Sequence, residues 1–86
     1  SAFALDEDNV FIDALKPAED RSGDLILRLY EAKKADTECV LAVNLPVKAV
    51  HACDMLENIQ GQLPLNEGCV KLRFGAFEVK TLRLTL

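Results

Sequence analysis

Tryptophan is absent from this 86-residue chain, serine occurs at Ser1 and Ser22, and histidine at His51 alone. Each scarcity excludes a class of chemistry. A serine hydrolase needs a nucleophile beside a base, but Ser1 opens the chain and Ser22 sits in a turn-like stretch. Carbohydrate modules that act alone rest sugars on flat aromatic rings, and Tyr30 is the one aromatic with a polar handle. Three cysteines, Cys39, Cys53 and Cys69, are widely spaced without a CxxC pair. With one histidine they match no zinc spacing. They read as small buried thiols in a reducing compartment. None of Asn9, Asn44, Asn58 or Asn66 stands in a glycosylation frame. There is no basic run, which argues against nucleic acid. No apolar stretch approaches the roughly 20 residues of a membrane helix, and the start lacks signal-peptide form. No glycine-rich phosphate loop, internal repeat or low-complexity segment is present.

What the chain does contain is a globular balance, half apolar and 28% charged, with a net charge of −4. That composition suits one domain near the small end of what folds alone. Ser1-Ala2 resembles a cleavage remnant, and residues 1–8, with their acidic Asp6-Glu7-Asp8, read as a flexible lead-in. The domain is expected over 9–86. Alternation of period two then marks strand after strand. The segment 9–16 is the first and ends at Pro17. The second, 24–32, places Leu25, Leu27 and Leu29 on one face and Ile26, Arg28 and Tyr30 on the other. After a hairpin-sized connection at 33–36, the third, 37–45, buries Cys39, Leu41, Val43 and Leu45. Residues 48–56 fit either period; their short length and strand neighbours favour a strand. A turn at 57–61 and a short edge strand at 62–65 follow. The reading is an all-β antiparallel sandwich of immunoglobulin-like size, with six or seven strands.

The C-terminal stretch is the most regular and also the most irregular. Val70, Leu72 and Phe74 alternate with Lys71 and Arg73 over 69–75. After a turn at Gly75-Ala76, Phe77 and Val79 are expected inward, with Glu78 and Lys80 outward. Leu82, Leu84 and Leu86 then fall on the opposite parity. One step of register exchanges the two faces, so a bulge or bend near Lys80–Thr81 is expected.

Most carboxylates fall at turns or outward positions, and no residue is read as catalytic. Arg28, Tyr30 and Glu31 on the second strand are the candidate binding residues. Arg28 and Glu31 point to opposite faces of a regular strand and cannot simply pair. Each needs another partner: backbone, a neighbouring domain, or a sugar.

Four segments in order, LKPAED, LILRLYEA at 25–32, DMLE at 54–57 and FEVKTLRL at 77–84, resemble the extreme C-terminal region of glycoside hydrolase family 38 alpha-mannosidases of the cytosolic and bacterial cytoplasmic type. The resemblance covers about residues 10–86. The family usually carries a proline before the Phe-Glu pair, where this chain has Gly75-Ala76. The resemblance implies a parent enzyme that releases terminal alpha-linked mannose with retention, using an aspartate nucleophile and a divalent metal, usually zinc, in an N-terminal domain. No metal ligand or nucleophile of the family maps onto this chain, so no cofactor is expected within it. Arg28, Tyr30, Glu31, Glu57, Glu78 and Thr81 match motif positions, the last three as structural members. The implied partners are the remaining domains of the parent and a mannose-containing oligosaccharide as parent substrate, in the cytoplasm.

Three functions compete. A non-catalytic sandwich would brace the catalytic domain through buried apolar surface. A carbohydrate-binding module would need a groove around Tyr30 and Arg28. An interaction module would assemble the parent, including as a homo-oligomer, through an edge strand.

Overall fold

The computed structural model describes residues 2–86; the remnant reading of Ser1 lies outside them. Among the described residues there are eight strands and no helix: β1 Phe3–Leu5, β2 Val10–Pro17, β3 Leu25–Glu31, β4 Thr37–Val43, β5 Ala49–Cys53, β6 Ile59–Leu63, β7 Cys69–Phe74 and β8 Val79–Thr85. They form two antiparallel sheets, β1-β4-β7 and β2-β3-β8-β5-β6. The all-β sandwich is therefore as the alternation implies, with 48–56 contributing a strand and not a helix, but it has eight strands in place of six or seven because Phe3–Leu5 adds one.

The two sheets close on one core. Leu27 and Leu29 of β3, Leu41 and Val43 of β4, Val70 and Phe74 of β7, and Leu82 and Leu84 of β8 are buried together. These are the apolar parities of each strand, which is why two half-apolar sheets must stack. The alternate set of the larger sheet forms its outer face. Directly paired residues share a face, so Phe11, Tyr30 and Val79 make one row across it, and Ala14, Arg28, Thr81 and Cys53 the next.

Three expectations need correction. Residues 3–5 are not a loose lead-in: they pair with Leu41–Val43, because Phe3 and Leu5 can reach the core. The edge strand begins at Ile59 rather than at 62, within the segment read as a turn. The C-terminal slip has a different cause from a bulge. β8 pairs with β3 and β5 in unbroken register. Gly75 to Glu78 is instead a turn, closed by the Glu78 N–H donating to the Gly75 carbonyl at 3.1 Å. Phe77 lies in it at φ 57° and is 59% exposed, and Val79 begins the strand on the outer face. The parity change falls between Phe77 and the leucines because Phe77 is outside the strand. The register shifts that do occur lie between Ile12 and Ala14 on β2 and between Ala52 and Cys53 on β5.

Strand order also changes what the connections do. The segments 33–36 and 75–78 look like hairpin turns, yet each joins strands of different sheets. The β1–β2 connection crosses likewise. Antiparallel pairing carries these three crossings to one end of the sandwich, where β3 ends at Glu31.

Candidate functional site

Strand ends leave N–H groups without ladder partners, and burying them unpaired is costly. At the crossing end those groups converge on one carboxylate. Glu31 is 1% exposed. Its Oε1 accepts the Phe77 N–H at 2.9 Å and the Ala35 N–H at 3.1 Å. Its Oε2 accepts the Lys33 N–H at 2.7 Å and the Asn9 side-chain amide at 2.8 Å. A carboxylate offers about four lone-pair sites, and these four donors fill them. Asn9 belongs to the β1–β2 crossing, Lys33 and Ala35 to β3–β4, and Phe77 to β7–β8. Asn9 also donates to the Thr37 hydroxyl at 2.7 Å, which donates to the Ala35 carbonyl at 2.9 Å. Burial by itself would raise the Glu31 pKa. The Phe77 amide, then Asn9, Lys33 and Ala35, outweigh it and hold the group down at about 2.

Arg28 and Tyr30 face the other way, onto the outer face of the larger sheet. Tyr30 stacks on Phe11 with ring centroids 5.7 Å apart and planes at 29°. The Arg28 Nε donates to the Thr81 hydroxyl at 3.4 Å, a long contact. Among the described residues no carboxylate forms an ion pair with Arg28. Beside Tyr30 a shallow groove of about 410 Å³ is lined by Asp13, Glu31, Ala32, Phe77 and Val79. The structure thus joins Arg28 with Thr81 and Tyr30 with Val79, and sends Glu31 to the crossing loops.

The other motif residues serve their own turns. Glu78 accepts the Gly75 N–H at 2.8 Å and pairs with Lys80 at 3.1 Å. The Gly75 amide and then Lys80 lower its pKa against the effect of burial. Glu57, at φ 67°, sits in a turn held by Asp54 and reaches Lys16 at 2.6 Å. Thr81 is buried.

Sequence reasoning missed two residues central to this geometry. Asn9 reads as the start of a strand, and its bond to Glu31 spans 22 positions. Arg83 clips the β2–β3 loop, donating to Asp24 at 2.8 Å, Asp20 at 2.7 Å and Ser22 at 2.9 Å. The Arg83 bond is the main reason the Asp20 pKa falls to about 2. A charged residue on the outer parity of a core strand, with acids in a distant turn, is the one hint available.

His51 is half-buried on β5, and among the described residues its Nδ1 is buried without a hydrogen-bond partner. Cys39 and Cys53 are buried and Cys69 half-buried, all as free thiols. Burial, then Asp6 and Glu7, push Cys39 up to about 11, and burial raises Cys53. Thiols so disfavoured as thiolates are poor nucleophiles. Among the described residues no three His, Cys, Asp or Glu side chains converge as metal ligands.

Residues 9–82 match the family model of the glycosyl hydrolases family 38 C-terminal beta sandwich domain. Alpha-mannosidase 2C1 of Mus musculus is 38% identical over 90 residues, covering 100% of this chain and 9% of that protein. Alpha-mannosidase 2C1 of Homo sapiens matches with the same identity and coverage. The chain therefore spans about a tenth of the length of these curated relatives.

Proposed function

We propose, from the premise that this chain belongs to the glycosyl hydrolases family 38 C-terminal beta sandwich domains, that it is a non-catalytic brace within a larger alpha-mannosidase. The observation that carries the reading is the use made of Glu31. The most buried acid of the candidate set has its acceptor sites filled by protein donors, which leaves none for a sugar hydroxyl. It closes the fold, with its carboxylate bonded to protein donors rather than open to the groove beside Tyr30.

The parent would cleave alpha-linked mannose, as the relatives' names suggest; release of the terminal sugar with retention, in the cytoplasm, is what the motif resemblance implies. A divalent metal such as zinc would supply electrostatic activation there. Among the described residues no donor set fits such an ion, so its ligands would lie in other domains. The domain's contribution is burial of apolar surface, roughly 1.5–3 kcal/mol for each large side chain covered.

Deletion of this domain tests the proposal. The shortened parent should lose thermal stability or solubility before its linkage specificity changes. Calorimetric titration of the 86-residue chain with mannose and mannobiose should give no binding heat. Full retention of stability with lost affinity for longer glycans would overturn the brace in favour of sugar binding.

A further inference from the structure

Phe77 is held in an uncommon way. A non-glycine residue in the left-handed region is sterically strained. Its N–H is pinned by the buried Glu31 carboxylate at 2.9 Å, and its ring projects outward at 59% exposure. Beside it on the outer face lie Val79, 47% exposed, and Phe11, 42% exposed, stacked on Tyr30. Contiguous exposed apolar groups of this size mark interaction surfaces more often than bare solvent faces. Next along the same face is Arg28, half-buried and, among the described residues, without an ion pair. A guanidinium so placed retains donors for a planar carboxylate.

We infer that this end of the outer face, formed by Phe11, Arg28, Tyr30, Phe77 and Val79, docks the domain onto the rest of its parent chain. The receiving surface is apolar and presents a carboxylate to Arg28. This rests on the reading that the chain is one domain of a larger mannosidase. The occupant follows from the relatives, about nine-tenths of whose length lies outside the matched stretch. Chain that remains tethered nearby has a high effective concentration and needs little area to dock. Glu31 acts here as a positioning residue. By fixing the Phe77 amide it presents the ring ready-formed, so that less ordering is required on docking.

Oxidative footprinting of the full-length parent tests this, with each residue's rate normalised to that in the urea-unfolded protein. Docking predicts that Phe77 and Phe11 react as slowly as the fully buried Phe74, several-fold below what their exposure in the lone domain implies. The variant Phe77→Asp, which alters no core contact, should lower the parent's thermal midpoint. Phe77 and Phe11 reacting in proportion to their exposure, with an unchanged midpoint for Phe77→Asp, would overturn the assignment. Protection that disappears on dilution would identify a second copy as the occupant and overturn it as well. The bracing reading fails separately: deletion of the domain without loss of stability would refute the brace even if Phe77 were protected. A destabilising deletion with a reactive Phe77 would keep the brace and move it to another face.

Discussion

Glu31 shows how one residue can hold a fold that no single strand pair specifies. Its folded pKa of about 2 lies below the ordinary 4.5. A depressed pKa means the unfolded chain binds the proton more readily, so the contribution is fully present above about 4.5 and is lost as pH falls towards 2. Chemical denaturation at pH 7 and at pH 3 should show a drop in stability for the native sequence. In Glu31→Gln the Glu31 share of that drop should vanish, with lower stability already at pH 7, because an amide sets an N–H donor against N–H donors. Equal pH slopes for the two proteins would show that the carboxylate does not carry this linkage. Asn9 is the neutral counterpart. Its replacement by alanine leaves a buried acceptor of Glu31 unfilled, a loss of roughly 1–3 kcal/mol, measurable by the same method.

At the scale of the element, β8 and the turn before it divide the C-terminal pattern into two kinds of residue. Leu82 is 1% exposed between the sheets, and Leu82→Ala should cost about 2–5 kcal/mol. Phe77 behaves in the opposite way. Phe77→Gly relieves left-handed strain of roughly 1–2 kcal/mol and adds unfolded-state entropy worth about 0.5–1 kcal/mol. The net change for the 86-residue chain is a gain of up to about 1.5 kcal/mol, to be read from urea unfolding. A loss of core size, about 3–5 kcal/mol, would instead restore the inward placement that simple alternation suggests. Alternation misplaces Phe77 because it counts residues without knowing which of them belong to a turn. β1 and β6 escape it for related reasons. Phe-Ala-Leu is too short to show a period, and Ile-Gln-Gly-Gln-Leu lies exposed at a sheet edge with nothing to segregate.

For the whole molecule, the crossings matter more than the hairpins. The three connections tied to Glu31 each pass between sheets, so opening any one exposes the others' acceptor. The amides of Lys33, Ala35 and Phe77 lie outside strands, yet hydrogen exchange should find them slow and cooperative as one unit. Glu31→Gln should accelerate all three together. Independent exchange at surface-loop rates would show that the end of the sandwich is not coupled in this way.

The half-apolar strands are written locally: Leu25, Leu27 and Leu29, or Val70, Leu72 and Phe74, have one face that must leave water, and a sandwich follows from that requirement. The sequence also carried the four ordered segments by which the family is legible. The tertiary structure decided which strands pair, and hence that 33–36 and 75–78 cross between sheets. It decided the role of Glu31 too, whose partners at Asn9 and Phe77 stand 22 and 46 positions away. Burial is a property of side-chain pattern and is written locally. Hydrogen-bond satisfaction at a buried chain crossing depends on which distant backbone groups arrive there, and only the assembled fold brings them together.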